Sequence, residues 1–268
     1  MPELLKEPVE LSTGVYLQIP IRLILLDDAI IRSNEAEEVL TFGYRSLGNR
    51  FIIPWRKIKG KLRRLVLECQ RGLGIEPDCS LKNDLCCKCP TCFLFGATGE
   101  TSSTKVPYNI LSRVYGETFI SETTSEAITP LTQNAVDERT LKTGQALMTI
   151  LTVPRETVFR GVVTLKDPTP EMAAILIHNL QRLSRIGARS VEWGRAETAI
   201  DGVRLSDREE LSAFLAMSGR PQPALDPLDI LKLPAYDTAY KTFQKQVQKV
   251  IERVARKAGK DPDEEEKE

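Results

Sequence analysis

Of the six cysteines in this 268-residue chain, Cys79, Cys86, Cys87, Cys89 and Cys92 crowd into one short stretch. Whatever the rest of the chain becomes, that stretch must fold around its sulfurs. Cys86 with Cys89, and Cys89 with Cys92, have the two-residue gap that wraps a turn around a zinc ion. Thiolates suit zinc because the ion is borderline soft, and four of them complete a tetrahedron with no open position. Cys79, Cys86, Cys89 and Cys92 are the expected set, with Cys87 an alternative to Cys86, and Cys69 a spare. A closed site of this kind is structural, stapling a loop too small for a core of its own. Six cysteines are too few for a disulfide scaffold in a chain this long, which points to a reducing compartment. The competing reading is a set of reduced, partly buried thiols.

The second constraint is charge. The chain is formally neutral, with 37 basic and 37 acidic residues, yet between Arg45 and Leu67 it carries Arg45, Arg50, Arg56, Lys57, Lys59, Lys61, Arg63 and Arg64 and no acid. Such a concentration suits a polyanion held in a groove rather than coated over a surface. Trp55, Ile58, Leu62, Leu65, Val66 and Cys69 recur at helical intervals, so a helix opened by Pro54 would bury that stripe. At about 100° per residue, Arg56, Lys57, Arg63 and Arg64 fall on the other side, with Gly60 among them. Lacking a Cβ, Gly60 would admit a sugar-phosphate chain close to the helix backbone. Arg185, Arg189 and Arg195 form a second basic concentration. The bland alternative is a solvated charged face.

Along the chain, residues 14–27 read as a first strand entering the core, and 28–50 as a charged connection. The basic helix follows, then the cysteine-rich insertion, taken as 70–95. Ser- and Thr-rich residues 97–143 show no lasting period and read as a projecting insertion that orders against a partner. Residues 146–165 suggest two short strands or one bent one. A helix spans 169–186 with Gly187 as its stop, and a strand lies within 187–202. Residues 206–259 wrap the fold and end in a long helix, and 260–268 form a disordered acidic tail. This order predicts one α+β domain over 1–268: an RRM-like (ferredoxin-like) antiparallel sheet with two helices on one face.

No apolar run approaches the ~20 residues that cross a bilayer, and the acidic start is unlike a signal peptide, so a cytoplasmic protein with no membrane partner is expected. Phosphate-loop, dinucleotide, zincin and hydrolase-elbow motifs are all missing, and His178 is the lone histidine. These absences point away from an enzyme. Asp27 and Asp28, at the end of the first strand, are the acids best placed for a metal or a nucleophile, and otherwise are solvated.

The run RFIIPWRKIKGKLRRLVLE, residues 50–68, resembles the signature of the repeat-associated RNA-binding (RAMP) superfamily. Ile53, Pro54, Ile58, Lys59, Gly60, Leu62 and Arg63 keep its framework, whereas Trp55, Arg56 and Lys57 replace the usual Gly-Ser-Ser. CPTCFLFG (89–96), NAVDERTLKTGQALMTILTVPRETVFRGVV and RLSRIGARSVEWGRAE are similar to three further elements of the superfamily. The cysteine-rich insertion makes the chain look most like the type I-D CRISPR backbone subunit of the Cas-seven group. The resemblance implies an RRM-like palm, a zinc-bearing insertion and a thumb over 97–144. It also implies many copies lined along one CRISPR RNA, presenting the guide to target DNA beside other effector-complex subunits. Lys59 and Arg63 are the leading RNA contacts it implies, then Arg56, Lys57, Arg45 and Arg50 with Gly60, then Arg195, and Arg139 and Lys142 at the thumb's return. A noncatalytic subunit is expected. The alternatives are a type III-like subunit that cuts target RNA with Asp27, Asp28, Glu35 or Glu37, and a freestanding zinc-containing nucleic-acid or protein-binding module.

Overall fold

Hydrophobic alternation in Tyr16–Leu25 makes the spine of the molecule, strand β1. The structure, a computed structural model, describes residues 2–32, 39–75, 79–80, 85–99, 106–136, 139 and 143–258. After β1 come the hairpin β2 (Thr41–Tyr44) and β3 (Gly48–Ile53), helix α1 (Trp55–Gly72) and the short helix α2 (Pro90–Phe95). Strands β4 (Val114–Gly116), β5 (Phe119–Thr124), β6 (Thr129–Val136), β7 (Thr143–Thr152) and β8 (Val158–Lys166) follow. Helix α3 (Pro170–Gln181), strands β9 (Ala196–Ile200) and β10 (Arg204–Ser206), the short α4 (Ala213–Met217) and the long α5 (Tyr236–Ala258) complete the chain.

The main sheet runs β10–β1–β8–β5–β3–β2, with β9 also on β1 and β4 also on β8, while β6 and β7 form a separate two-stranded ribbon. Among the described residues every strand pairing is antiparallel. The α+β class expected from the sequence is therefore the class adopted. Leu17, Ile19, Ile21, Leu23 and Leu25 of β1 sink into a core shared with Ile58, Leu62 and Val66 of α1, Ile175, Leu176 and Leu180 of α3, and Tyr240, Phe243 and Val247 of α5. Burying each such aliphatic side chain stabilises the fold by about 1.5–3 kcal/mol. The Tyr240 hydroxyl donates to the Val66 carbonyl and accepts from Asn179 Nδ2, both at 3.2 Å, and so ties α5 to α1 and α3. Among the described residues no helix is long and apolar enough to cross a membrane.

Three expectations need correction. The span 97–144 is not a projecting insertion throughout: β4 and β5 lie within it, and β5 sits between β8 and β3 in the main sheet. Among the described strands, the ribbon of β6 and β7 is the one outside the main sheet. β5 escapes notice because Phe119, Ile120 and Ser121 are its only buried residues, set in Ser and Thr. Buried Ser121 accepts from the Phe51 amide at 3.0 Å across a β3–β5 irregularity, a polar contact that hydrophobic alternation does not report. The connection 28–50 likewise contains buried Ala29, Ile30 and Ile31 and half of a hairpin. Helix α3 starts as expected, with Thr169 capping the Met172 amide at 3.3 Å, but ends at Gln181 rather than near Gly187. The tail 260–268 lies outside the described residues.

Candidate nucleic-acid interface and metal centre

Helix α1 packs beside a group of four cysteines on one side and lines a cationic cleft on another. Beyond its C-terminal end the chain returns through Cys79 and Cys86, and Cys89 caps α2, its sulfur accepting from the Cys92 amide at 3.4 Å. The sulfurs of Cys79, Cys86, Cys89 and Cys92 all lie within 4.8 Å of one another, and all four residues are buried. Cys92 Sγ is 3.4 Å from Cys79 Sγ and 3.9 Å from Cys86 Sγ. Tetrahedral thiolates on bonds of about 2.3 Å stand roughly 3.8 Å apart, so the spacing fits a four-sulfur metal site. Cys87, with φ of 53°, turns its sulfur to the Leu85 carbonyl at 3.8 Å, and Cys69 lies apart, 3.5 Å from Asn179 Oδ1. The spacing argument thus chose the four residues that converge.

Electrostatics at the centre favour thiolate on Cys79, whose pKa is lowered by hydrogen bonding from Cys86, then Cys89 and Cys92. Cys89 and Cys92 are pushed up, chiefly by hydrogen bonding with Cys79 and then Cys86. A cation among the sulfurs would favour the thiolate on all four.

The cleft is lined on the α1 side by Arg56, Lys57, Gly60, Lys61 and Arg64, and on the other by Arg185, Ile186, Gly187, Ala188 and Ser190. It encloses about 320 Å³, and no carboxylate is among its lining residues. Its far wall is held by backbone geometry. Ile186 N–H donates to Gly194 O at 2.8 Å, and Ala188 N–H donates to Ile30 O at 2.8 Å. Gly187 and Gly194 have φ of 93° and 72°, and a Cβ would fall 2.6 Å from Ile30 O in the first and 1.9 Å from Ile186 O in the second. Only glycine fits both positions. Gly60 is the opposite case, since a Cβ there would meet nothing within 4 Å. Gly60→Ala should therefore raise the unfolding free energy by about 0.5–1 kcal/mol in urea denaturation, through helix propensity. If a nucleic-acid backbone rests on that helix face, the same substitution weakens its binding, so stability and affinity move in opposite directions.

The sequence-predicted cations divide among several places. Arg56 and Arg64 are exposed, and Lys57 half-buried, in the cleft. Arg63 is the correction. Placed by the helical wheel among the outward cations, it is 5 % exposed, donating from one terminal nitrogen to Gly96 O at 2.8 Å and approaching Cys92 Sγ with the other at 3.7 Å. A buried group cannot line an open groove. Lys59 is half-buried with its ammonium 3.0 Å from Ser112 Oγ, and its pKa is lowered by burial and then by Arg63. Arg50 donates to Leu47 O at 2.8 Å and to Glu122 O, which fixes it to the β3–β5 side rather than the cleft. Arg45 and Arg195 are exposed elsewhere than in the cleft lining, and Arg139 is exposed in the turn after β6. Lys142, Glu35 and Glu37 lie outside the described residues.

Asp27 and Asp28 hold loops. Asp27 accepts the Arg195 amide at 2.6 Å, and Asp28 accepts the Arg155 amide at 3.0 Å and pairs with its side chain at 3.4 Å. His178 stacks on Tyr236 with ring centres 4.1 Å apart, and burial followed by Arg182 lowers its pKa. Lys61 and Arg185 were not among the expected contacts. The basic run and the second basic concentration each contained one of them, but nothing in the sequence joins the two.

Residues 49–260 match the family described as Csc2 Crispr. Among solved structures, the chain is similar to the crystal structure of Thermofilum pendens Csc2, at 19% identity and a TM-score of 0.65, over 91% of this chain and 89% of that one. It is also similar to a chain of a Type IV-B CRISPR complex, at 16% identity and a TM-score of 0.51, over 68% of this chain and 90% of that one. No curated protein matches it. At these identities the solved structures speak for the fold, and the family match, which spans most of the sequence, carries the identification: this chain belongs to the Csc2 CRISPR family.

Proposed function

We propose that this protein is a noncatalytic backbone subunit of a CRISPR effector complex, of the type I-D kind, that grips the CRISPR RNA and lines up in several copies along it. The cleft carries the reading: Arg56, Lys57, Lys61, Arg64 and Arg185 face it without an opposing carboxylate, around a helix face opened by Gly60. A guide must be held without its sequence being consumed, so cations and main-chain amides should dominate and leave base edges free for target DNA. The likeness to a chain of a Type IV-B CRISPR complex supports a place among other effector subunits.

On this reading the strands β9–β1–β8–β5 with α1 and α3 are an RRM-like palm, and the β6–β7 ribbon is the thumb. The cysteine centre holds zinc through Cys79, Cys86, Cys89 and Cys92, since four thiolates with no open position suit a structural zinc ion. The ion supplies a staple and no chemistry on RNA. Asp27 and Asp28 serve the backbone amides of Arg195 and Arg155 rather than a nucleophile.

Purified protein titrated onto single-stranded RNAs of increasing length tests the assembly. The number of bound copies should rise with length, and the RNA should remain intact with divalent metal present. One copy regardless of length contradicts the backbone role. Cuts in complementary target RNA that vanish on Asp27→Asn or Asp28→Asn establish the type III-like enzyme instead.

A further inference from the structure

Arg63 presents a charge problem. Its guanidinium is a cation. It is nevertheless 5 % exposed, and no carboxylate among the described residues pairs with it. Its neutral partner is the Gly96 carbonyl at 2.8 Å, and its Nε is buried without a partner. A buried cation with only such company is strongly destabilising. Among the described residues, the group that Arg63 meets able to carry compensating charge is the sulfur cluster, through Cys92 Sγ at 3.7 Å. The amides of Lys88 on Cys86 at 3.5 Å and of Cys92 on Cys89 at 3.4 Å also donate to the sulfurs and are neutral. Four thiolates around a divalent ion leave an excess negative charge inside the fold, next to a guanidinium that is buried and, among the described residues, lacks a carboxylate.

We infer that Arg63 is the counter-charge of the cysteine centre and the positioning residue that locks the centre to α1. It acts through Cys92 and the Gly96 carbonyl, not on the metal and not on RNA. Because Arg63 follows Gly60 by three residues and precedes Arg64, the cationic cleft and the sulfur centre are held by one stretch of helix. Retention of the metal and placement of the cleft cations are then coupled.

The inference rests on the reading of the four cysteines as a metal site, and chelator competition on full-length, cobalt- or zinc-loaded protein separates the two. Arg63→Gln keeps a donor for Gly96 but loses the charge, whereas Arg63→Lys keeps the charge but loses the planar fork. Arg63→Gln should hold metal 10–100-fold more weakly than wild type, the range for removing outer partners of metal ligands. Arg63→Lys should stay within about threefold of wild type, because Coulomb attraction survives the change. Equal retention by the two variants overturns the inference. Should Arg63→Gln not fold, Arg63→Met, which keeps side-chain bulk without the charge, takes its place: the same 10–100-fold loss is expected, and retention equal to that of Arg63→Lys overturns the inference. Wild-type protein that takes up neither metal removes the metal site itself, and this role with it.

Discussion

Cys92→Ser is expected to destabilise the protein by about 4 kcal/mol or more, the range reached when a structural metal or a buried charge partner is removed. For a chain of this size that lowers the thermal midpoint by roughly 10 °C. The effect is large because Cys92 is central to three arrangements. Its sulfur stands 3.4 Å from Cys79 and 3.9 Å from Cys86, so its loss opens the four-sulfur group. It is the sulfur that Arg63 meets, at 3.7 Å, so its loss leaves a buried cation uncompensated. It also lies in α2, whose residues are all buried, and Phe93 there meets Phe243 of α5 at 5.8 Å between ring centres. Loosening α2 therefore loosens the packing of the C-terminal helix. Cys87→Ser is the comparison, because Cys87 is not one of the four converging cysteines, and it should cost less than about 1 kcal/mol. Denaturation curves with metal content measured on the same samples check the pair. Equal stability of the two variants contradicts a structural metal centre.

Replacing Arg56, Lys57, Lys61 and Arg64 together by Ala is expected to weaken single-stranded RNA binding by roughly 10²–10³-fold at low salt, on the order of 1 kcal/mol for each phosphate no longer paired with a cation. The fold should tolerate the change. Arg56 and Arg64 are exposed and Lys57 and Lys61 half-buried, and none belongs to the buried set of α1. Alanine also favours the helix at each position. Arg45→Ala with Arg195→Ala, removing exposed cations outside the cleft lining, should have a much smaller effect. RNA from unrelated sequences should lose affinity alike, because phosphate contacts carry no base information.

Much of this architecture was legible in the residues, and what was not has identifiable physical causes. Period carried β1, α1, α3 and α5, since each presents a continuous apolar row to one core. The sulfur set was legible because ligand spacing is a local property. Tertiary contacts that hydrophobicity does not encode were hidden. Arg63 lies about 20° from Arg56 on the helical wheel, so the two look equivalent, yet Arg56 is exposed two turns earlier. The difference is the Cys89–Gly96 segment, which covers α1 at Arg63 with a carbonyl and a sulfur rather than with apolar groups. The cleft was half legible: the basic run supplied one wall, but Arg185 reaches it only because Gly187 and Gly194 let the following loop close against Ile30 and Ile186.

The claim on which the functional account depends is that the α1 cleft holds a ribose-phosphate strand through its charge. The salt dependence of RNA affinity, measured for wild type and for the Arg56, Lys57, Lys61 and Arg64 alanine variant, tests it most directly. Each phosphate engaged on a single strand steepens the plot of log affinity against log salt by about 0.7, so the variant's slope should be shallower by about 3. A variant that keeps both the wild-type slope and the wild-type affinity contradicts the account, and places the strand on another surface of the protein.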